Sequence, residues 1–173
     1  MADAVITLRR ARDDDWSMIR RWLRQPEVER WLGSVTASEA EVIAALTTPD
    51  AIARIIEVAG RPVGYAHAVD AATWGADLPD GLPPGSWDLD VFIAERDARG
   101  HGIGPAALDA LRCEVFSTTL ATAVAVFAPI GNEAAVRAYE RAGFVWRRIW
   151  HDPASGPMWL LISERPAGEI RSG

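Results

Sequence analysis

Short apolar runs of the kind that form β-strands recur along the chain, separated by polar or glycine-rich links. They are rich in Val, Ile, Ala and aromatic residues, which favours extended structure. The run at 121–127 consists mainly of Ala and Val, so we expect a strand that is buried on both faces. The predicted strands lie at 5–8, 52–58, 63–69, 87–93, 121–127, 144–150 and 158–162.

Amphipathic stretches between these runs predict helices. Apolar residues recur every three or four positions, as expected for one buried helical face. Thr36 and Glu39 have the spacing of a capping box and predict the start of one helix, while Gly143 is placed to end another. The predicted helices cover 16–23, 26–33, 36–46, 105–116 and 132–142.

The order of these elements predicts one α/β domain with a mixed, mostly antiparallel sheet flanked by helices. A chain of 173 residues fits a single domain that spans 1–173. The core is expected over about 5–163, followed by a polar tail at 164–173. The hairpin turn is predicted at 59–62, and the Gly-, Pro- and Asp-rich stretch at 74–86 is predicted to be a loop.

Composition narrows the function classes. The 18 basic and 24 acidic residues give a net charge of −6, which argues against nucleic acid as the main partner. The start of the chain lacks the pattern of a signal peptide, and no apolar stretch approaches the roughly 20 residues of a membrane span. Cys113 is the only cysteine, which excludes an internal disulfide. These features predict a cytoplasmic protein without membrane contact.

The stretch from Arg99 to Gly104 is the strongest chemical signal, and we call residues 99–104 the glycine loop. It follows a predicted strand and opens a predicted helix, where free N–H groups and glycines favour phosphate binding. It is not a P-loop, because Pro105 and Ala106 stand where Lys and Ser or Thr are needed. Its glycine spacing also differs from the dinucleotide fingerprint.

Two motifs together resemble the GCN5-related N-acetyltransferase (GNAT) superfamily, over about residues 5–162. The first is Arg-x-x-Gly-x-Gly in the glycine loop. The second is Asn-x-x-Ala-x-x-x-Tyr-x-x-x-Gly-Phe, which begins at Asn132 and includes Ala135 and Tyr139 on one helical face. The resemblance implies acetyl-coenzyme A as the cofactor and transfer of its acetyl group to an amine.

The resemblance also implies residue roles. Backbone groups of the strand containing Val91, Phe92 and Ile93 would pair with the pantetheine arm, and the next strand would splay away to open a cleft. Tyr139 would protonate the leaving thiolate, since phenol and thiol have similar pKa values. Cofactor contacts are expected at Val91, Phe92, Ile93, Arg99, Gly100, His101, Gly102, Ile103, Gly104, Asn132, Ala135 and Tyr139.

The N-terminal half most resembles aminoglycoside 6′-N-acetyltransferases and the related siderophore-type acyltransferases. The resemblance rests on Trp22-Leu23, Pro26-Glu27-Val28, Trp31-Leu32-Gly33, the stretch Gly60 to Tyr65, and Asp90. It implies that Asp90 is a base or a substrate contact. Acidic and aromatic residues together suit a cationic small molecule. Substrate contacts are predicted at Trp31, Trp74, Asp77, Trp87, Asp88 and Asp90, with Asp80 at the same mouth.

Several alternatives stay open. The aminoglycoside enzymes commonly carry Asp-Pro a few residues before the second motif, whereas this chain has Ala128-Pro129 there. Siderophore-type, polyamine or protein amines are therefore other acceptors, and a non-catalytic acyl-coenzyme A sensor is a further possibility. His67 is predicted to be a hydrogen-bonded core residue, and no metal-ligand spacing is present. A monomer and a homodimer are equally consistent with the sequence.

Overall fold

The computed structural model describes residues 5–153 and 155–168, except the side chains of Ala76 and Asp77. Its centre is a seven-stranded sheet in the order β1-β2-β3-β4-β5-β7-β6. The strands are β1 (Ile6–Arg10), β2 (Ile52–Val58), β3 (Arg61–Asp70), β4 (Ser86–Ile93), β5 (Ala123–Pro129), β6 (Val145–Asp152) and β7 (Gly156–Glu164). All neighbours are antiparallel except β4 and β5, so the predicted mixed, mostly antiparallel sheet is confirmed.

Helices cover both faces of the sheet. On one face lie α1 (Trp16–Leu23), α2 (Pro26–Leu32) and α3 (Val35–Thr47); on the other lie α4 (Ile103–Thr118) and α5 (Glu133–Arg141). The larger core includes Leu108, Leu111 and Val115 of α4, which were predicted to share one face. The second core joins α1–α3 to Ile55 and Tyr65 on the opposite face.

The hairpin of β2 and β3 and the doubly buried β5 are confirmed. Two local predictions were wrong. Helix α3 begins at Val35 because Ser34 caps it, accepting a hydrogen bond from the Ala37 N–H, so the Thr36–Glu39 spacing is not its cap. The expected loop at 74–86 overlaps a 3₁₀ turn at Ala71–Asp77, since Asp70 accepts the Ala72 N–H and nucleates it.

Two contacts place β4 for its role in the site. A Cβ on Gly64 of β3 would lie 2.3 Å from the Phe92 carbonyl oxygen, so only glycine lets the two strands approach so closely. At the end of β4, Arg99 donates to the carbonyl oxygens of Ile93 and Ala94 at 2.9 and 2.7 Å. These contacts hold the strand against β3 and fix where it leaves the sheet.

Within the part of the chain that the structure describes, no helix is long and apolar enough to cross a bilayer.

Candidate active site

Strands β4 and β5 part from each other in the middle of the sheet. They pair only from Ser86–Ala123 to Asp88–Ala125, whereas β4 continues to pair with β3 up to Ile93. The Leu89–Ile93 half of β4 therefore has an edge that no described strand covers. An extended ligand can hydrogen-bond to such an edge as an added strand. The predicted splay is present.

The glycine loop lies between the end of β4 and the start of α4. Gly100 and Gly102 both have φ of +77°, a conformation that non-glycine residues rarely adopt. No described atom lies within 4 Å of a Cβ built on either residue, so the backbone is open on that side. The first N–H groups of α4 have no intrahelical acceptor and carry the positive end of its dipole. The loop is therefore suited to an anion.

Pro105 occupies the first turn of α4, where its missing N–H removes no intrahelical hydrogen bond. His101 is exposed in the loop, whereas the Ile103 side chain is buried in the core and leaves only its backbone for a ligand.

Arg99 has a structural role that the sequence did not reveal. Besides the two carbonyl oxygens at the end of β4, its Nη2 donates to Gln25 Oε1 at 3.2 Å. The guanidinium still lines the cleft described below. It thus joins the glycine loop to the segment that begins α2.

Helix α5 contributes the face predicted from the second motif. Asn132 caps the helix through its side-chain oxygen, which accepts the Ala135 N–H at 3.2 Å; this use leaves its NH₂ group available. Tyr139 is only 9% exposed and its hydroxyl donates to the Phe127 carbonyl oxygen at 3.3 Å. Asn132, Ala135 and Tyr139 all line the cleft where β4 and β5 part.

The state of Tyr139 differs from the expectation. Burial, with smaller contributions from Asp90 and Asp88, raises the pKa of its phenol well above the usual range. The group stays protonated at neutral pH and can donate a hydrogen bond. The phenol of Tyr139 is therefore a weaker acid than an unperturbed phenol. The expectation that its pKa is close to that of a thiol is wrong.

A cleft of about 1620 Å³ opens at this point, between α2 and α3, the sheet and the end of β6. Its carboxylates come from separate elements. Asp88 and Asp90 lie on one face of β4, Glu41 is on α3 and Asp152 ends β6. With Glu27, Asp50 and Asp70 the lining has seven acidic side chains against three basic ones, Arg10, Arg54 and Arg99, so the cleft favours a cation.

The carboxylates influence each other. Restricted hydration and the charges of Asp90 and Glu41 raise the pKa of Asp88 well above its usual value. Glu41 reaches cleft water, but the surrounding protein limits its hydration. Together with Asp90 and Asp152, this raises the pKa of Glu41 to about 7. Placing like charges close together is unfavourable in free energy, and a bound cation would relieve this repulsion. The arrangement therefore indicates a binding site for a positively charged ligand.

Aromatic side chains line one side of the cleft, and we call Trp74, Phe127 and Trp150 the aromatic wall. Their ring centroids lie 5.2–5.8 Å apart. Trp31 of α2 also lines the cleft, with the Arg30 guanidinium 4.7 Å from its ring centroid. Such faces can bind cations or the apolar faces of sugar rings.

The predicted substrate residues are only partly brought together. Trp31, Trp74, Asp88 and Asp90 line the cleft. Trp87 also lines it but is 8% exposed and packs mainly in the core on the α4 side. Asp80 is exposed and is not among the residues that line the cleft. The Asp77 side chain lies outside the described residues.

Sequence reasoning missed Glu41, Asp152 and Trp150. They lie on α3 and β6, far in sequence from both motifs, and only the tertiary fold brings them to β4. Among the described residues, no group of His, Cys, Asp and Glu side chains is arranged to hold a metal ion.

Comparison with known proteins agrees with this geometry. The family model described as "Acetyltransferase (GNAT) domain" matches residues 11–151. The chain belongs to the GNAT acetyltransferase family. It is an N-acetyltransferase that uses acetyl-coenzyme A.

Relatives within this GNAT family point to one branch. The aminoglycoside N(6′)-acetyltransferases type 1 of Klebsiella pneumoniae and Serratia marcescens are each 26% identical over 175 residues, covering 95% of this chain and 85% of theirs. A crystal structure of aminoglycoside acetyltransferase AAC(6′)-Ib in complex with coenzyme A matches with a TM-score of 0.81 and 25% identity. The match covers 93% of this chain and 95% of that one.

A second crystal structure of AAC(6′)-Ib, in complex with coenzyme A and kanamycin, has a TM-score of 0.80 at 25% identity. The match covers 93% of this chain and 95% of the chain in that structure. Coenzyme A carries pantetheine amides and a pyrophosphate, and two regions of this structure have matching chemistry. The uncovered edge of β4 suits the amides of pantetheine, and the glycine loop with the start of α4 suits a pyrophosphate.

Gly102 provides a test of the loop. Asn tolerates the left-handed conformation better than other residues, and nothing within 4 Å obstructs its Cβ, so Gly102→Asn is expected to fold. Its side chain would occupy the open side of the loop. We expect the Kd for coenzyme A, measured by calorimetry, to rise about tenfold or more, equivalent to about 1.4 kcal/mol.

Gly156→Asn is the matched control. Gly156 also has a positive φ, of +82°, and nothing within 4 Å of its Cβ, but it is the first residue of β7, next to the turn that follows β6. The control should leave the Kd unchanged. Equal affinity in the wild type and Gly102→Asn would exclude phosphate binding at this loop.

Proposed function

We propose that the protein acetylates a primary amine of an aminoglycoside-type small molecule. The observation that supports this most directly is the acidic, aromatic-walled cleft that joins the uncovered edge of β4. An aminoglycoside carries several ammonium groups on sugar rings, so carboxylates and aromatic faces are the matching partners. The aminoglycoside acetyltransferases among the relatives support the same substrate class.

Chain residues divide the work between donor and acceptor. We propose that backbone groups of Val91, Phe92 and Ile93 hold the pantetheine arm, while Asn132 and Ala135 border it. The glycine loop would hold the pyrophosphate. When bound, acetyl-coenzyme A supplies the acetyl group as a thioester. A backbone N–H of the 91–93 segment would stabilise negative charge on the carbonyl oxygen.

The acceptor would be held from several directions. Asp90 and Asp88 on β4 would receive ammonium groups, and Glu41 and Asp152 would hold others at greater distance. Trp31 and the aromatic wall would pack against the rings. This arrangement favours a polycation over a single amine, because carboxylates on separate elements can pair with several ammonium groups at once.

Substrate class is tested by the release of coenzyme A thiol from acetyl-coenzyme A with a panel of amines. We expect kanamycin to be acetylated with kcat/KM on the order of 10⁴ M⁻¹s⁻¹ or more. A matched aminoglycoside with a hydroxyl in place of the 6′-amine should not be acetylated at that position. For spermidine, lysine-derived amines and peptide amines, kcat/KM should be at least about tenfold lower than for kanamycin. This ratio corresponds to about 1.4 kcal/mol in favour of kanamycin.

Other outcomes of the panel would contradict the proposal. Faster reaction of a polyamine, a lysine-derived amine or a peptide would assign a different acceptor. Binding of acetyl-coenzyme A without turnover of any amine would favour an acyl-coenzyme A sensor.

Tyr139 is proposed to donate its hydroxyl proton to the leaving sulfur. Tyr139→Phe should lower kcat about 10- to 100-fold, at the lower end of the range for general acids because this phenol is a weak acid. The Kd for coenzyme A should stay within about twofold, equivalent to about 0.4 kcal/mol. Loss of the hydrogen bond to Phe127 should cost about 1 kcal/mol of stability.

Tyr65→Phe is the control for this prediction. Tyr65 is a second buried tyrosine, on β3, that does not line the cleft. Its change should leave kcat within about twofold. An unchanged kcat in Tyr139→Phe would remove the acid role.

A further inference from the structure

His67 of β3 is a buried histidine that the proposed function does not yet use. It lies directly opposite Asp90 in the antiparallel pairing of β3 with β4. Side chains of such a pair share one face, with Cβ atoms about 4.5–5.5 Å apart. His67 is 5% exposed, yet it lines the cleft. The predicted core position of His67 is confirmed, but the predicted hydrogen bonding is not complete.

The incomplete hydrogen bonding concerns one atom. His67 Nδ1 is buried without a hydrogen-bond partner among the described residues. A buried polar atom without a partner is costly, and natural proteins keep few of them outside functional sites. The neighbouring ring of Tyr65 lies 5.7 Å away, centroid to centroid, and its hydroxyl also lacks a partner in the described part of the chain. Ala53, opposite His67 on β2, offers no polar group.

The reaction needs a proton acceptor at this position. An ammonium group cannot attack a thioester until it has lost a proton. Free carboxylates ionise near pH 4 and imidazole near pH 6.5, so imidazole is matched to neutral pH. Glu41, whose pKa is raised to about 7, is the competing acceptor, but it lies on α3, whereas His67 lies directly opposite Asp90. A carboxylate beside the imidazole can both attract the ammonium and stabilise the imidazolium that forms.

We propose that His67 is the base of the reaction and that Asp90 binds the ammonium group and stabilises the protonated imidazole. The N–H bond of the substrate ammonium breaks, its electron pair stays on nitrogen, and the proton passes to the imidazole. The neutral amine then forms a C–N bond with the carbonyl carbon of the acetyl group as the C–S bond breaks. Tyr139 protonates the departing thiolate and is restored, through cleft water, by the second proton that the nitrogen loses. The imidazolium returns its proton to water in the open cleft. The proposal rests on amine acetylation, but not on the aminoglycoside in particular.

The surroundings keep the imidazole competent as a base. Burial lowers the pKa of His67, while the negative charge of Asp90 opposes that shift. Tyr65 of β3 lies beside His67, and the cleft carries further carboxylates and three guanidinium groups from the elements packed around it. The carboxylates are Glu27, Glu41, Asp50, Asp70, Asp88 and Asp152, and the guanidinium groups belong to Arg10, Arg54 and Arg99. The carboxylates stabilise an imidazolium once it forms. His67 is thus neutral when substrate arrives and can accept a charge afterwards.

The kinetic test compares His67→Gln with Glu41→Gln, using the best amine from the panel at saturating acetyl-coenzyme A. Gln keeps polar atoms but cannot take up a proton. We expect His67→Gln to lose about 100-fold or more in kcat, with an unchanged Kd for coenzyme A. The wild-type fall of kcat/KM at low pH should disappear in His67→Gln and persist in Glu41→Gln. The proposal would be overturned if kcat/KM of His67→Gln still fell at low pH, or if its kcat dropped less than threefold.

A second measurement works without any substrate and keeps this test separate from the choice of acceptor. NMR titration of the imidazole in the free enzyme follows His67 directly, with His67→Gln assigning its signal. Asp90→Asn should move the His67 titration to lower pH, because the stabilising charge is gone. An identical titration in wild type and Asp90→Asn would show that the two groups do not act together, and would also overturn the proposal. Thermal unfolding of each variant establishes that it is folded.

Discussion

The parting of β4 from β5 is the constraint on which the rest of the site depends. Two parallel strands that start side by side at Ser86–Asp88 separate before β4 ends. The separation exposes backbone groups of Leu89–Ile93 that would otherwise form a ladder. It also leaves room for Tyr139 and Asn132 to reach the gap from α5. A continuous sheet with the same sequence motifs would have neither a cofactor edge nor a cleft.

The two ligands proposed for this gap have opposite charges, and the fold offers them separate regions. The anionic end of coenzyme A matches the start of α4 and the glycine loop, where backbone N–H groups and a helix dipole are positive. The carboxylates of Glu41, Asp88, Asp90 and Asp152 lie on the face covered by α2 and α3. Arg99 joins the two regions, because it contacts both the end of β4 and Gln25 before α2. The Arg99 guanidinium therefore stabilises the local fold through these hydrogen bonds, and Arg99 also lines the cleft.

Much of the fold could be predicted because local sequence specifies it. The strand runs, the α4 face of Leu108, Leu111 and Val115, and the motif helix starting at Asn132 are all read from periodicity or spacing. Helix starts were less certain where two hydroxyl residues compete, and Ser34 caps α3 in place of Thr36.

The residues proposed for the cofactor half of the site could be named from the sequence, since each of their motifs is continuous in the chain. Not all of those in the acceptor half could be. Glu41, Trp150 and Asp152 gain their role only when α3 and β6 meet β4, and no spacing rule connects them. The hydrogen bonding of His67 was misread for a related reason: a polar residue inside an apolar strand is usually satisfied, and only the tertiary structure reveals that its Nδ1 is not.

Hydrogen–deuterium exchange with and without acetyl-coenzyme A tests the central claim most directly, that the uncovered half of β4 is the cofactor edge. We predict slower exchange at amides 89–93 and 100–104 when the cofactor binds. Amides of β2, which pair on both sides, should not change. Binding of acetyl-coenzyme A without protection at 89–93 would contradict this account of the site.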